Sequence, residues 1–173
     1  VVPVFIWAPE EEGHWALGQA GSWWLHHALT GLDADLRRSG SRLVLRRGPT
    51  LTTLQALINV TGADAVYWNR RYEPAAIARD QRVKHSLQSA GHMARSFNGS
   101  LLHEPWTITK KSGGPFQVFT PFWKTCLAQK PPAAPIATVD SLARPAHWPT
   151  SDNLDDLQLI PRSAKHAGLA ATW

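Results

Sequence analysis

Short runs of β-branched and aromatic residues alternate with amphipathic stretches along the first hundred residues of the chain. The apolar runs are VVPVFIWA at residues 1–8, SRLVLRRG at 41–48, ADAVYWN at 63–69 and HMARSFNG at 92–99. The first run is continuous, as is typical of a strand buried on both faces of a parallel sheet. Because stretches of helical period separate the runs, the order predicts an α/β protein: an open parallel sheet with helices on both faces.

Three amphipathic helices are predicted between these strands, at residues 22–40, 50–62 and 73–91. In the first of them the leucines recur at helical spacing. Ser22 is placed to cap its start, and Gly40 is placed to end it. The short turns between strands and helices favour consecutive βαβ units.

The helical spacing also predicts which side chains meet. Asp33 and Arg37 stand four residues apart on the first helix, so they are expected to form an ion pair. On the third helix, Ile77, Val83 and Leu87 are expected to lie on one side.

The regular alternation ends after residue 99. A loop with a Gly-Gly-Pro turn follows, and FTPFWKTCLAQ at residues 119–129 predicts a short helix begun by Pro121. The next twenty residues are rich in Pro and Ala, which is typical of an extended connector. We therefore predict an α/β domain over residues 1–129 and a connector over residues 130–173.

The composition narrows the class of protein. Hydrophobic residues make up 43% of the 173 residues, which is typical of a folded domain and not of a disordered chain. The single cysteine excludes an intramolecular disulfide and a cysteine-based zinc site, and it fits a reducing compartment. The net charge of +5 is mild, and no dense Lys/Arg stripe indicates a nucleic-acid surface.

The hydropathy of the chain and its first residues indicate in which compartment the protein is expected. No apolar run reaches the roughly eighteen residues that a membrane-spanning helix needs. The opening VVPVFIWAPEEEG also lacks the basic region of a signal peptide. We expect no membrane partner and a cytoplasmic location, or a nuclear or plastid one if the source is eukaryotic.

Ligands of open α/β sheets bind beyond the carboxyl ends of the strands, so the segments after each strand are the candidates for a site. None of these segments contains GxGxxG, GxxxxGK[ST] or GxSxG. His26 and His27 are adjacent and so diverge on a helix, which disfavours a metal site there. The residues alone predict no catalytic group and no metal.

Two charged segments follow the first and third strands. Glu10, Glu11 and Glu12 are expected to form a solvated acidic loop. Arg70 and Arg71 are candidates to hold an anion or a ligand carboxylate. Ion pairs with Glu73, Asp80 or the three consecutive glutamates are the slightly favoured alternative for the two arginines.

Five blocks of the sequence together resemble the amino-terminal α/β domain of DNA photolyases and cryptochromes. They are PVFIWAPEEEG, GSWWLHHALTGLDADLRRSGSRLVLRRG, VYWNRRYEPAAIARD, RSFNGSLLHEPW and GGPFQVFTPFWK, in that order. The closing LDDLQLIPRSAKHAGLAATW is similar to the connector that leads to the flavin-binding helical domain of that family. The resemblance covers nearly the whole chain.

The resemblance implies a light-harvesting domain with an antenna chromophore, either methenyltetrahydrofolate or a flavin or deazaflavin. This chromophore would pass excitation to FAD in the following helical domain, where pyrimidine dimers of damaged DNA are repaired. The partners implied are that FAD-binding domain and, for the full-length protein only, DNA. The residues expected to border the antenna cleft follow the strands: Trp7, Glu10, Asn69, Tyr72, Asn98 and Glu104.

In the family the domain begins with a strand and helix that carry a WFRRDLR-like motif, and this chain starts at the equivalent of the second strand. The resemblance implies a strand order of 3-2-1-4-5, so the first strand would lie between VVPVFIWA and ADAVYWN. We expect these two runs to stand about 9–10 Å apart, twice the normal strand spacing. The alternatives are direct closure, with Phe5 paired beside Val66, and occupation of the slot between the two runs by another chain or segment. The 173-residue chain alone is expected to be inactive.

The aromatic residues at 116–123 are expected to pack in the domain core and at its border with the helical domain, near the antenna cleft, and contact with the chromophore is the less favoured alternative. WNRRYEPAAIARD and LDDLQLIP are similar to bacterial photolyases, whereas WAPEEEG and the Trp-Trp pair are similar to plant cryptochromes. Photolyase is therefore favoured and a blue-light photoreceptor is the alternative. A stand-alone nucleotide-binding α/β module is a further alternative, but it would need a phosphate-binding glycine loop.

Overall fold

The computed structural model describes residues 1–129, 134–137 and 139–160, apart from the side chain of Trp15. The described elements are β1 Val4–Trp7, α1 Gln19–Arg38, β2 Val44–Arg47, α2 Thr50–Thr61, β3 Ala65–Asn69, α3 Pro74–Ser89, β4 Met93–Phe97 and α4 Phe119–Leu127. Short 3-10 turns lie at Pro9–Glu11, Gly13–Trp15 and Asp155–Leu157. The α/β class and the alternation of strands and helices are confirmed. Within the predicted connector, residues 130–133, 138 and 161–173 lie outside the described residues.

Helix α1 begins three residues before the predicted start. Its N-cap is Gly18, and Ser22 lies inside the helix, where its backbone N–H donates to the Gly18 carbonyl at 2.9 Å. The prediction that Ser22 caps the helix is therefore wrong. The predicted pair between Asp33 and Arg37 is confirmed, with 2.7 Å between the Arg37 Nε and a carboxylate oxygen of Asp33.

Helix α3 turns a different face to the core than predicted. Val83 and Leu87 are buried as expected, but Ile77 is 40% exposed and its neighbour Ala76 is buried. Ile77 and Val83 are six residues apart, which is about one and two-thirds turns, so one face cannot hold both. The prediction for Ile77 is wrong because positions 77 and 83 lie on different sides of the helix.

The strands form two parallel pairs. Strand β1 pairs with β2, with Phe5 opposite Leu45, and β3 pairs with β4, with Val66 opposite Ala94. The parallel arrangement is confirmed. Among the described residues β1 and β3 do not pair with each other, so direct closure of Phe5 onto Val66 is not observed. A cavity of about 780 Å³ is lined by residues of both strands.

Two clusters of buried side chains form the core. One joins α1 and β2 to the segment around residue 157, and its buried members are Leu29, Leu43, Leu45, Leu157 and Leu159. The other joins α2, α3 and β4, and its buried members are Ile58, Val83, Leu87 and Ala94. Each strand pair therefore has its own cluster of apolar side chains that are removed from water.

The segment before residue 157 covers the edge of β2 that faces away from β1. The Leu45 N–H donates to the Ser151 hydroxyl and the Asp152 N–H donates to the Leu45 carbonyl, both at 2.9 Å. The Arg47 N–H donates to the Asp152 carboxylate, also at 2.9 Å. Part of the predicted connector thus completes the hydrogen bonding of a strand. The domain boundary at residue 129 stays a prediction.

The three consecutive glutamates are not a uniformly solvated loop. Only Glu10 is largely exposed, and it stands 3.9 Å from Arg47. Glu11 accepts a hydrogen bond of 2.5 Å from the Thr50 hydroxyl at the start of α2. Glu12 pairs with arginines that follow β3, as described below. The prediction of a solvated loop is wrong for two of the three, because the chain folds back so that the helix start and the arginines reach them.

Candidate functional site

A partly buried ion pair, joined by a tyrosine hydroxyl, lies just beyond the carboxyl ends of β3 and β4. The Arg70 guanidinium contacts the Glu104 carboxylate, and the Tyr72 hydroxyl donates to the same carboxylate at 2.7 Å. Arg70 is fixed from the other side by Ser96 of β4, since its Nη2 donates to the Ser96 carbonyl at 2.8 Å and its Nε to the hydroxyl at 3.1 Å. The loop after β4 thereby brings Glu104 back onto the end of β3.

An exposed indole stands next to this cluster. The Trp106 ring lies 5.5 Å from the Arg70 guanidinium carbon, and its centroid is 6.5 Å from that of Tyr72. A turn closed by a 2.9 Å bond from the Thr107 N–H to the Glu104 carbonyl places the indole there. Trp106 is 60% exposed, so part of its ring is open to a ligand. The combination of a carboxylate, a guanidinium and an open aromatic face suits a flat, polar-edged ring.

The charge of Glu104 acts on the neighbouring phenol. Partial burial, the hydrogen bond to Glu104 and the negative charge of that carboxylate all raise the pKa of Tyr72 above its ordinary value. The neutral phenol is stabilised because it can donate to the carboxylate, whereas a phenolate beside it would be repelled. Tyr72 therefore acts as a hydrogen-bond donor at neutral pH.

We expect Tyr72 to titrate above the pH of about 10 at which an ordinary tyrosine ionises. Glu104→Gln removes the charge, so the transition should move down toward that value. The chain has two tyrosines, and Tyr67→Phe leaves Tyr72 as the sole phenol. Phenolate absorbance followed against pH gives the measurement, with circular dichroism confirming that the chain is still folded.

Tyr72→Phe in the same Tyr67→Phe background serves as the control, because it should abolish the transition. A Tyr72 pKa at or below the ordinary value, or one that Glu104→Gln leaves unmoved, would contradict the hydrogen-bond geometry described here.

Of the six residues predicted to border an antenna cleft, Tyr72 and Glu104 are in direct contact. Asn69 lies against the loop after β4, so closely that a Cβ on Gly99 would come within 2.4 Å of its side chain. Asn98 uses its side chain inside that loop, accepting from the Leu101 N–H at 2.9 Å. These four share the edge formed by β3 and β4.

The other two predicted residues lie on the β1–β2 pair. Trp7 packs partly buried against the cluster that includes Leu45, with its ring stacked on Phe5 at 6.5 Å. Glu10 is exposed beside Arg47. The structure thus groups four of the six predicted residues at one strand pair and two at the other, and their role in binding stays a prediction.

Sequence reasoning missed Trp106 and placed Arg70 only among general candidates. The available signal for Trp106 was its position two residues after Glu104 in a segment that follows a strand. The expectation that arginines pair with nearby carboxylates holds for Arg71, which stands 2.7 Å from Glu12 and 3.3 Å from Glu73. Arg70 instead pairs with Glu104, thirty-four residues away in sequence.

The aromatic residues near position 120 lie on α4 and do not enter the core of the described residues. No residue of α4 is buried, and Phe119 and Trp123 stack on each other at 6.1 Å while being 69% and 49% exposed. The prediction that they pack in the domain core is wrong. Phe119 and Trp123, four residues apart on one face of α4, find no core side chain to cover them, so the apolar face points outward.

No helix in the described part of the chain is both long and apolar enough to cross a membrane. Within the same residues, no three His, Cys, Asp or Glu side chains converge closely enough to hold a metal ion.

Comparison with known proteins places the chain in a family. The family model described as DNA photolyase matches residues 1–140. The deoxyribodipyrimidine photo-lyase of Agrobacterium fabrum is 45% identical over 161 residues, which are 93% of this chain and 33% of that protein. Cryptochrome-1 of Arabidopsis thaliana is 41% identical over 129 residues, which are 74% of this chain and 19% of that protein.

A solved structure extends the likeness to three dimensions. The crystal structure of a bacterial class III photolyase from Agrobacterium tumefaciens superimposes with a TM-score of 0.91 at 42% identity, and it covers 100% of this chain and 36% of that one. The chain therefore spans about a third of the length of these photolyases. Since the family model covers most of the chain and the fold agrees, the chain belongs to the DNA photolyase family.

Proposed function

We propose that this chain is the amino-terminal light-harvesting domain of a deoxyribodipyrimidine photolyase. It holds an antenna chromophore that passes excitation to FAD in a following helical domain, where pyrimidine dimers are repaired. The observation that carries the proposal is the cluster of Arg70, Tyr72, Glu104 and Trp106 at the strand ends, in a chain of this family. By itself the 173-residue chain is proposed to be inactive in repair.

The cluster fits the kind of ring that the family resemblance implies. A carboxylate has about four lone-pair sites, of which Arg70 and Tyr72 occupy two, so Glu104 can still accept from an N–H at the edge of a pterin or deazaflavin. The open face of Trp106 offers a stacking surface. Asn69, exposed at the end of β3, can donate and accept at the same edge. When bound, the chromophore supplies light absorption, and these residues bind and orient it.

The photolyase function is preferred to that of a cryptochrome photoreceptor. The Agrobacterium photolyase matches 93% of the chain at 45% identity, whereas Arabidopsis cryptochrome-1 matches 74% at 41%. The cryptochrome remains the second candidate because of that 41% identity. A stand-alone nucleotide-binding module is disfavoured, since the segments after the strands contain no phosphate-binding glycine loop.

Replacing Trp106 by alanine in the full-length protein is expected to weaken antenna binding about tenfold or more. Losing one aromatic stacking partner costs roughly 0.5–1.5 kcal/mol beyond the area it buries, and 1.4 kcal/mol is tenfold in affinity. The measurement is the amount of second chromophore per FAD after titration with the folate or deazaflavin. Repair driven by light that FAD absorbs directly should be unchanged.

Trp24→Ala is the matched control, because Trp24 is also a surface indole, 68% exposed on α1. It should leave antenna content unaltered. Equal antenna content in the Trp106→Ala protein and the parent would refute this site. A full-length protein that shows no light-driven repair of dimers would instead favour the photoreceptor.

A further inference from the structure

Three side chains of the strand-end cluster can carry out chemistry that needs no bound chromophore. Tryptophan and tyrosine rings can each lose a single electron, and the ring centroids of Trp106 and Tyr72 stand 6.5 Å apart. The Tyr72 hydroxyl also donates a 2.7 Å hydrogen bond to the Glu104 carboxylate. An oxidisable indole, an oxidisable phenol and a proton acceptor are thus next to one another.

Trp106 is the member of this group that a solute reaches first. It is 60% exposed, whereas Tyr72 is partly buried and the Glu104 side chain is only 14% exposed. A small one-electron oxidant, such as an oxidising radical or a photoexcited ring, therefore takes its electron from the indole. The oxidant is reduced, and Trp106 is left as a radical cation.

The charge of Arg70 disfavours this radical cation. Its guanidinium carbon lies 5.5 Å from the centre of the Trp106 ring, where the negative face of the neutral indole attracts it. Once the ring has lost an electron, the two positive charges repel each other. Arg70 therefore favours rapid replacement of the lost electron from a neighbouring group.

Tyr72 can supply that electron because its proton has an acceptor in place. It is a neutral phenol at neutral pH, and the ionised carboxylate of Glu104 can only accept. One electron moves from Tyr72 to Trp106, the phenolic O–H bond breaks, and a new O–H bond forms on Glu104. The products are a neutral indole, a phenoxyl radical and a neutral carboxylic acid, so the step removes one cation and one anion.

Arg70 keeps other hydrogen-bond acceptors after Glu104 has taken up the proton. Its Nη2 donates to the Ser96 carbonyl at 2.8 Å and its Nε to the Ser96 hydroxyl at 3.1 Å. Neutralising one member of an ion pair is costly when the other charge is left without a partner. The two bonds to Ser96 reduce that cost, and they hold the guanidinium in position.

The second tyrosine of the chain has different surroundings. The Tyr67 hydroxyl donates to the Met93 sulfur at 3.2 Å, and the ring packed beside it is Phe97, at 6.0 Å. A thioether is a weak hydrogen-bond acceptor, and a phenylalanine ring is much harder to oxidise than an indole. Tyr67 is therefore an internal comparison for Tyr72.

We propose that Trp106, Tyr72 and Glu104 form a radical-transfer site, in which one-electron oxidation of the exposed indole ends as a phenoxyl radical on Tyr72 and a proton on Glu104. The reaction requires a one-electron oxidant of the class named above and no other co-reactant. It goes beyond the proposed light-harvesting function, because it takes place in the chain without a chromophore.

Pulse radiolysis of the 173-residue chain in azide solution tests this site. The azide radical oxidises indoles in preference to neutral phenols, and the indole and phenoxyl radicals are followed by their separate absorbance bands. In the Tyr67→Phe protein, whose sole phenol is Tyr72, part of the indole signal should convert to phenoxyl in a first-order step that is independent of protein concentration. The step should slow in D₂O, because an O–H bond breaks. Absence of the conversion, or an equal rate in D₂O, would overturn the proposal.

Three variants in the Tyr67→Phe background assign the residues. Trp106→Phe should abolish the fast conversion, whereas Trp24→Phe is the matched control and should leave it unchanged, since Trp24 is 68% exposed on α1. Glu104→Gln should slow the conversion at least about a hundredfold, the lower end of the range for a positioned proton acceptor. A conversion as fast in the Trp106→Phe or Glu104→Gln protein as in the Tyr67→Phe parent would refute the assignment.

The Tyr72→Phe protein, which retains Tyr67, completes the comparison. It should show no fast conversion, and a phenoxyl signal that grows as quickly as in the Tyr67→Phe protein would overturn the role of Tyr72. Circular dichroism checks that each variant is folded. If Glu104→Gln does not fold, the D₂O comparison on the Tyr67→Phe protein still decides whether a proton moves with the electron.

Discussion

Replacing Leu157 by alanine is expected to lower the free energy of unfolding by about 2–5 kcal/mol, the range for leucines deleted from well-packed cores. Leu157 is 2% exposed and packs in the cluster that contains Leu29, Leu43 and Leu45. The removed methyl groups lose their burial, and the cavity left behind adds to the cost because the surroundings relax only partially. The loss is large because this side chain, together with Leu159, packs the segment after residue 149 against α1 and β2.

Urea unfolding followed by circular dichroism measures this effect. Ile160→Ala is the control, since Ile160 is a comparable aliphatic residue three positions later and is 44% exposed. It should cost less than about 1 kcal/mol, because most of its surface is already in water. If both variants lose the same small amount, the segment around residue 157 is not part of the core in solution.

Replacing Glu12 by alanine is expected to cost about 1–2 kcal/mol, well below the cost of breaking a fully buried pair, because Asp80 and Glu73 remain as partners of the two arginines. Its carboxylate stands 2.7 Å from Arg71 and 3.0 Å from Arg79, and the Glu12 and Arg79 side chains are only 14% and 13% exposed. Hydrogen bonding to Glu12 raises the pKa of Arg71 against the opposing effect of desolvation, and Glu73 adds to the rise. The guanidinium stays charged without Glu12 as well, because an arginine does not lose its proton in a protein.

Glu12 contributes to stability by linking two parts of the fold as well as through its own ion pairs. Since β1 and β3 do not pair in the described residues, Glu12 links the turn after β1 to the segment after β3 and to α3. Removing it leaves Arg79, among the described residues, paired only with Asp80 and loosens one strand pair against the other. Arg71 keeps its contact with Glu73. We expect Glu12→Ala to lower the denaturant midpoint and to increase amide exchange at the cavity edges.

Glu10→Ala is the matched control for this prediction. Glu10 is two residues earlier, is 74% exposed at its side chain and stands 3.9 Å from Arg47, so its loss should cost no more than about 0.5 kcal/mol. A Glu12→Ala protein as stable as the Glu10→Ala protein would show that Glu73 and Asp80 suffice as partners of the two arginines.

The local sequence pattern was sufficient to predict the strands and helices. The β-branched run that contains Phe5 and Ile6 and the run that contains Val66 both form strands, and Gly62 ends α2 in the left-handed conformation that glycine adopts readily. The pair of Asp33 and Arg37 was predictable for the same reason, since both residues lie on one helix. Each of these features depends on residues within a few positions of each other.

The contacts that build the candidate site depend on residues far apart in sequence. Glu104 reaches Arg70 and Tyr72 only because the loop after β4 turns back over β3. The same turn places the Trp106 ring beside Arg70. The sequence placed Tyr72 and Glu104 at strand ends and implied a shared edge, but nothing in their spacing fixed which carboxylate would meet which arginine.

The sequence by itself determined the strands, the helices, their parallel order and the family resemblance, because these follow from short-range propensity and from the order of motifs. Only the tertiary structure decided that Leu157 belongs to the core, that Glu12 is a partly buried link, that α4 turns its aromatic residues outward, and that an apolar cavity separates β1 from β3. The physical reason is that burial and ion pairing are properties of the three-dimensional neighbourhood of a residue. A carboxylate or a leucine has the same local propensity whether water or a partner side chain surrounds it.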